Sequence, residues 1–205
     1  MAIGIKTSIF TFLKVNCMRD VRLFFSIGLS QEMEELCEDF VQTKSLKHID
    51  WVRPENRHLT LFFIGNFPSE QVPDYINYIE SKISKFRSFE MEFESFMYFP
   101  PRGARMIWAR FHKSPCFEAF SRQLCELTEL FCAENKCAAE KPKLEVIPHI
   151  TLARLKGREM PLIRIPDDYN KTLIMNIDAF SLVRSILSSD GAKYNVLKHY
   201  YAQDY

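Results

Sequence analysis

Two short repeats in the sequence carry residues suited to acid–base chemistry. Residues 58–61 read HLTL and residues 149–152 read HITL. In a β-strand, side chains at i and i+2 point to the same face, so each His would share a face with its Thr. Two imidazoles can act as general acid and general base near neutral pH, and two hydroxyls can donate hydrogen bonds to phosphate oxygens. Together these groups could hydrolyse a phosphodiester without a metal ion.

A metal site built on His58 and His149 is the alternative. Neither histidine has an Asp, Glu or Cys two residues away, where it would share the strand face, and this disfavours the metal site. A single His-x-Thr is common in strands, but two copies, each followed by Leu, favour a functional role. His112 and His199 lack a Thr two residues later, and we expect them to be structural or surface residues.

The elements around the two repeats recur in the same order, and His58 and His149 are 91 positions apart. Each half is predicted to contain a strand, a helix, a His-x-Thr strand, a connector and a further strand. Such a duplication predicts two lobes related by a pseudo-twofold axis, with equivalent strands facing a groove. The predicted strands cover residues 21–27, 51–52, 58–64, 89–99, 106–111, 148–155, 177–187 and 194–201. The predicted helices begin at Ser30, Ser69 and Pro115, and residues 156–173 are predicted to be irregular.

Composition narrows the class of protein. The chain has 205 residues, 47% of them apolar and 26% charged, which is typical of one globular domain or two small lobes. Lys plus Arg is 27 and Asp plus Glu is 26, so binding through bulk positive charge is excluded while a local basic groove is not. Six glycines, with neither GxGxxG nor GxxxxGK[ST], give no support to a Rossmann or P-loop nucleotide site.

The first 17 residues do not match the pattern of the rest. Their apolar run is interrupted by Lys14, and no stretch of 18 apolar residues occurs in the chain, so we expect no signal peptide and no membrane span. We expect residues 1–17 to be an extension outside the fold and residues 18–205 to form one two-lobed domain in a cytoplasmic protein.

Five segments between Met18 and the C-terminus carry a resemblance to a known family. They are VRLFFSIGL, WVRPENRHLTLFFIG, FPPRGARMIWA, PHITLARLK and SLVRSILSSDGAKYNVL. The chain resembles the LigT-like RNA 2′,3′-cyclic phosphodiesterases of the 2H phosphoesterase superfamily, also called 2′-5′ RNA ligases. The resemblance implies a two-lobed α+β fold, with antiparallel sheets lining a central groove and helices outside.

The resemblance also implies an activity and a set of site residues. The family hydrolyses an RNA 2′,3′-cyclic phosphate to a 2′-phosphate without a metal or cofactor, and some members join such an end reversibly to a 5′-hydroxyl. His58 and His149 match the catalytic histidines, Thr60 and Thr151 the phosphate-binding threonines, and Arg154 a phosphate-contacting arginine.

Strand alternation adds two expectations. Arg154 is three residues after Thr151, so it reaches the site face only if the strand ends or has a bulge there. Phe62 is two residues after Thr60, and regular alternation places it on the site face, where it could stack on an RNA base.

The expected function is therefore that of an RNA 2′,3′-cyclic phosphodiesterase with a His/His acid–base pair. Near-symmetry leaves the two roles open, with His58 as acid and His149 as base the favoured assignment. The expected partner is RNA with 2′,3′-cyclic phosphate ends, tRNA fragments among them, and the expected state is a monomer. The alternatives are a 2H phosphodiesterase for another cyclic or 2′-5′-linked nucleotide, and a non-catalytic module that binds RNA ends.

Overall fold

The fold is that of a computed structural model, which describes residues 20–43, 49–83, 86–137, 146–155, 165, 172–188 and 191–203. The expected N-terminal extension and most of the segment expected to be irregular lie outside these residues. The division into an extension and one domain remains a prediction.

The described residues form nine strands and three α-helices. The strands are β1 Asp20–Ile27, β2 Asp50–Trp51, β3 Leu59–Pro68, β4 Phe89–Phe99, β5 Met106–Phe111, β6 His149–Arg154, β7 Ile174–Ile177, β8 Ala179–Ser188 and β9 Gly191–Tyr201. The helices are α1 Gln31–Thr43, α2 Val72–Lys82 and α3 Pro115–Asn135, and short 3-10 turns cover Pro54–Asn56 and Ser69–Gln71.

The strands pair antiparallel in the order β7-β4-β5-β6-β3-β1-β8-β9, and β2 adds to β6. The two His-x-Thr strands, β3 and β6, are neighbours at the centre of this order. The unit β1–α1–β3 on one side has its counterpart in β5–α3–β6 on the other, as a duplicated chain requires. The predicted α+β class is confirmed, and this arrangement is consistent with two lobes related by duplication.

The helices bury their apolar stripes against the face of the sheet opposite the site. Phe117 and Leu124 of α3 are fully buried, as are Leu59 and Ile150 of the central strands. Burying a side chain of this size contributes about 1.5–3 kcal/mol relative to leaving it exposed. The hydroxyl of Ser121 on α3 also donates a 2.6 Å hydrogen bond to the backbone oxygen of Leu61, which fixes α3 to β3.

A serine side chain caps the first turn of α1 and of α3. The hydroxyl of Ser30 accepts a 3.3 Å hydrogen bond from the backbone N–H of Met33, and that of Ser114 accepts one of the same length from Phe117. No helix in the described residues is long and apolar enough to cross a membrane.

One predicted strand is two strands in the structure. The predicted strand at 177–187 is replaced by β7 and β8, which meet at Asp178. β7 pairs with β4 and β8 pairs with β1, so the chain changes partner at this point and crosses from one half to the other. The sequence alone contains no signal for that change, because it depends on where β4 and β1 lie.

Candidate active site

The centre of the site is the contact between β3 and β6. Leu59 pairs with Ile150 in an antiparallel register, and both side chains are fully buried in the core. Their sequence neighbours must therefore point to the opposite face. In the same register, the residues on either side of the Leu59–Ile150 pair are also opposite each other. His58 lies across from Thr151, and Thr60 lies across from His149. All four side chains are half-buried, so the four predicted residues lie together on one face.

Each histidine is held by the same local hydrogen bond. The Nδ1 atom of His58 is 2.8 Å from the backbone oxygen of Asn56, and that of His149 is 2.7 Å from the backbone oxygen of Ile147. A carbonyl oxygen only accepts, so Nδ1 carries the hydrogen and donates it. This fixes one tautomer in both rings and leaves each Nε2 as the atom that can exchange a proton with substrate.

The electrostatics of His58 favour its neutral form. Burial is the main cause that lowers the pKa of His58, and the nearby His149 lowers it further, while the hydrogen bond to Asn56 opposes both effects. The effect of His149 also shows that the two imidazoles interact. Near pH 7, the Nε2 atom of His58 is therefore available to accept a proton.

The rings that pack on the two histidines differ. His58 contacts Phe24 at a 5.0 Å centroid distance and a 33° tilt, and Tyr194 edge-on at 5.2 Å. His149 stacks on Trp108 at 3.6 Å and 20°, and Trp108 stacks in turn on Phe99 at 3.5 Å and 12°. Sequence reasoning missed these contacts, because they come from other strands and depend on register.

A bulge follows the threonine in each repeat. Along β3, Ser26 pairs with Thr60 and Phe25 with Phe62, so Leu61 is the extra residue. Along β6, Trp108 pairs with Thr151 and Ile107 with Ala153, so Leu152 is the extra residue. A bulge keeps two successive side chains on one side and reverses the alternation beyond it.

The second bulge places Arg154 on the site face. Leu152 and Ala153 are both fully buried, and Arg154 is exposed in a groove next to the site. The structure thus contains the irregularity that a phosphate-contacting role for Arg154 requires.

The first bulge overturns the expected position of Phe62. Phe62 is only 6% exposed and packs in the hydrophobic core, whereas Phe63 is 51% exposed. The extra residue Leu61 shifts the alternation by one position up to the next bulge of β3, at Ile64, so Phe63 takes the place expected for Phe62. Phe62 cannot stack on a bound base from inside the core.

A buried arginine positions the chain before His58. The Arg57 guanidinium donates to the Glu38 carboxylate of α1 at 2.8 Å and to the backbone oxygen of Val52 at 3.1 Å. Its side chain is 4% exposed, so it acts on the scaffold and not in the groove. The Glu38 side chain is 40% exposed, so only the arginine of this ion pair is buried, and the contact ties the entry of β3 to α1.

A groove of about 790 Å³ adjoins the His58 side of the site. It is bounded by β1, by the segment from β2 to Asn56, by Phe63, by Arg154 and by the β8–β9 hairpin. Phe24 and Tyr194, which contact His58, also line it, so the groove is continuous with the histidine. Among the described residues, no cluster of three or more His, Cys, Asp or Glu side chains is arranged to hold a metal ion.

Comparison with known proteins places the chain in a family. Residues 27–108 match the family described as LigT like Phosphoesterase. An RNA 2′,3′-cyclic phosphodiesterase of Thermus thermophilus is 30% identical over 183 residues, covering 88% of this chain and 89% of the relative. One of Thermotoga maritima is 25% identical over 182 residues, covering 86% of this chain and 93% of the relative.

Solved structures agree on the fold. A crystal structure of a Thermus thermophilus protein superposes with a TM-score of 0.73 at 29% identity, covering 88% of this chain and 97% of that one. Escherichia coli LigT complexed with 3′-AMP has a TM-score of 0.66 at 21% identity, covering 90% and 99%. The paired His-x-Thr strands, the duplicated sheet and these similarities show that the chain belongs to the LigT-like phosphoesterase family.

Proposed function

We propose that the protein hydrolyses the 2′,3′-cyclic phosphate at the end of an RNA to a 2′-phosphate, using His58 and His149 as a general base and a general acid. One observation carries the proposal. Two His-x-Thr pairs lie side by side on one face of adjacent antiparallel strands, and both histidines are held in the same tautomer. The names of the relatives, RNA 2′,3′-cyclic phosphodiesterases, support the substrate class.

The reaction uses the two histidines in one concerted exchange of protons. Nε2 of His58 takes a proton from a water, and the water oxygen forms a bond to phosphorus. The bond from phosphorus to the ribose 3′-oxygen breaks, and that oxygen takes a proton from Nε2 of His149. The product carries a 2′-phosphate and a 3′-hydroxyl, and solvent exchange restores the two protonation states.

Thr60, Thr151 and Arg154 are assigned to the charge that grows on the phosphoryl group. The two hydroxyls flank the histidines on the same face and can each donate to a non-bridging oxygen. The Arg154 guanidinium, exposed beyond the bulge, can add a charged donor. Donors aimed at developing charge are typically the largest single contribution to catalysis.

The proposed roles of the histidines reverse those favoured from the sequence. Burial lowers the pKa of His58 and so favours the neutral imidazole, which a general base requires. The face of Trp108 against His149 can stabilise an imidazolium, which a general acid requires. The sequence could not distinguish the two, because the repeats are nearly identical.

All four central residues come from one chain, which supports a monomer as the working form. We extend the proposal to RNA fragments such as cleaved tRNA as substrates, and to the cytoplasm as the place of action.

The test uses a short RNA ending in a 2′,3′-cyclic phosphate, with excess EDTA, and identifies the product by phosphorus NMR. We expect a 2′-phosphate from the wild type and a loss of about 10²–10⁴-fold in kcat for His58→Ala and for His149→Ala. His112→Ala, at an exposed histidine outside the site, is the matched control and should keep full activity.

Three results would contradict parts of this proposal. A 3′-phosphate product would show that the other P–O bond breaks. Loss of activity in EDTA, restored by a divalent metal, would contradict catalysis by side chains alone. No turnover by a folded wild type would leave binding of RNA ends, or another cyclic or 2′-5′-linked nucleotide, as the function.

A further inference from the structure

The two halves place different residues at the position beyond each bulge. Phe63 and Arg154 are 91 positions apart, as His58 and His149 are, and each is exposed at the site face. Both line the 790 Å³ groove on the His58 side. Phe63 packs on Phe24 at a centroid distance of 5.8 Å, yet its side chain is still 51% exposed, so much of its apolar surface is available for a ligand to cover.

The groove is basic although the whole chain is nearly neutral. Four cationic side chains line it, from Arg22, Arg53, Arg154 and Lys193, against two acidic ones, Asp50 and Glu55. All four cations are exposed, and none of them forms an ion pair within the part of the chain that the structure describes. Cations without ion-pair partners are available to neutralise the phosphates of a ligand.

The groove extends from the His58 side of the site. It starts at Phe24 and Tyr194, the rings that contact His58, and extends between the β8–β9 hairpin and the segment from β2 to Asn56. On the other half, the Trp108 and Phe99 rings are stacked against His149. A strand whose end lies between the two histidines would therefore leave the site on the His58 side.

We propose that this groove binds the nucleotides immediately 5′ of the terminal cyclic phosphate, as extended single-stranded RNA. Phe63 stacks on a base, and Arg22, Arg53 and Lys193 contact backbone phosphates. Stacking aromatics combined with a basic groove are the recurring means of holding single strands. The proposal rests on the proposed function and deepens it, because it makes an oligonucleotide the preferred substrate over a cyclic mononucleotide.

The contact between Asn56 and β9 links the groove to the catalytic histidine. The Asn56 side-chain amide donates a 3.1 Å hydrogen bond to the backbone oxygen of Ala192 on β9, while its own backbone oxygen accepts from His58. The wall of the groove and the orientation of His58 thus depend on one residue. RNA held against the hairpin would be fixed relative to the general base.

The experiment compares kcat/KM for adenosine 2′,3′-cyclic phosphate with that for a tetranucleotide ending in the same group. We expect the wild type to prefer the tetranucleotide by about tenfold or more, as stacking of one base predicts. Phe63→Ala should lower this preference about tenfold, and Tyr201→Ala, at a 68% exposed ring outside the groove, should leave it unchanged.

Charge is tested by the salt dependence of the tetranucleotide KM. Arg53→Ala should reduce the slope of log KM against log salt by about 0.7, the value for one phosphate contact on a single strand. Arg122→Ala, at an exposed arginine on α3, is the matched control and should keep the slope.

Failure of this inference is separable from failure of the proposed function. Turnover of both substrates with equal kcat/KM, or an equal loss on both in Phe63→Ala, overturns the groove while the activity stands. If neither substrate turns over, the binding of a labelled single-stranded tetranucleotide is measured by fluorescence anisotropy, which tests the groove independently of activity. Binding that Phe63→Ala weakens and Tyr201→Ala does not supports the groove, and absence of binding overturns it.

Discussion

His58 and His149 hold equivalent positions in the two halves, yet their surroundings have diverged. The backbone contact is the same in both: Nδ1 donates to the carbonyl two residues earlier. The rings differ, since His58 contacts Phe24 at a tilt and Tyr194 in a perpendicular arrangement, and His149 stacks on Trp108. The hydrogen bond that fixes the tautomer is the same in the two halves, while the aromatic rings that pack on each histidine differ. This difference can give two identical groups opposite roles.

The largest expected effect separates the two roles by pH. A base must be neutral and an acid protonated, so kcat/KM should rise with pH through the pKa of His58, which burial holds below about 6.5, and fall at higher pH. His58→Gln and His149→Gln should each lose about 10²–10⁴-fold in kcat/KM. We expect the rising limb to vanish only in His58→Gln and the falling limb only in His149→Gln, measured over about pH 4.5–9. The opposite pattern would restore His58 as the acid.

The two threonines should behave alike, because they are related by the pseudo-twofold and serve the same phosphoryl group. Thr60→Val and Thr151→Val keep the shape and remove the donor. Each should lower kcat/KM about 10- to 150-fold, as a hydrogen bond to a charged group predicts. Thr→Ser at either position keeps the hydroxyl and should restore most of the activity. A large loss at one threonine alone would show that the phosphate lies off the pseudo-twofold axis.

A smaller effect tests whether Trp108 supports His149. Trp108→Leu should lower kcat about 2- to 30-fold, because a cation over an aromatic face gains about 0.5–2 kcal/mol. Trp108→Phe keeps an aromatic face and should recover part of the loss. The loss should fall on kcat and leave KM unchanged, a split that a merely structural role would not produce. Equal kinetics for the Leu and Phe variants would contradict the proposed support.

The smallest effect is on stability. Because the folded pKa of His58 lies below its unfolded value of about 6.5, the unfolded chain binds more protons at acid pH. The contribution of His58 to stability is therefore fully present above about pH 6.5 and falls as the pH drops towards the folded pKa. We expect Tm to decrease less between about pH 7.5 and 5.5 in His58→Gln than in wild type or in His112→Gln. An equal decrease in all three would contradict the lowered pKa.

Local sequence patterns predicted most of the scaffold. Two-residue alternation located the His-x-Thr strands, apolar spacing located α3, and Ser30 and Pro115 marked the starts of α1 and α3. These signals lie within a few residues of the feature that they predict. The repeat itself, at a spacing of 91 positions, indicated the duplicated fold before any contact was known.

The errors of the sequence reading come from pairing between distant segments. One kind of irregularity, the bulges at Leu61 and Leu152, moved Phe62 into the core, brought Phe63 out and turned Arg154 to the site face. A bulge is a mismatch between a strand and its partner, so neither strand contains it alone.

The sequence by itself determined which four side chains can do the chemistry, because i and i+2 share a face in any regular strand. Only the tertiary structure decided what surrounds them. Trp108 reaches His149 through the register of β5 on β6, and Tyr194 reaches His58 from β9. Packing across strands lowers the pKa of His58 and stacks an aromatic ring on His149, and both effects depend on contacts between residues far apart in the chain.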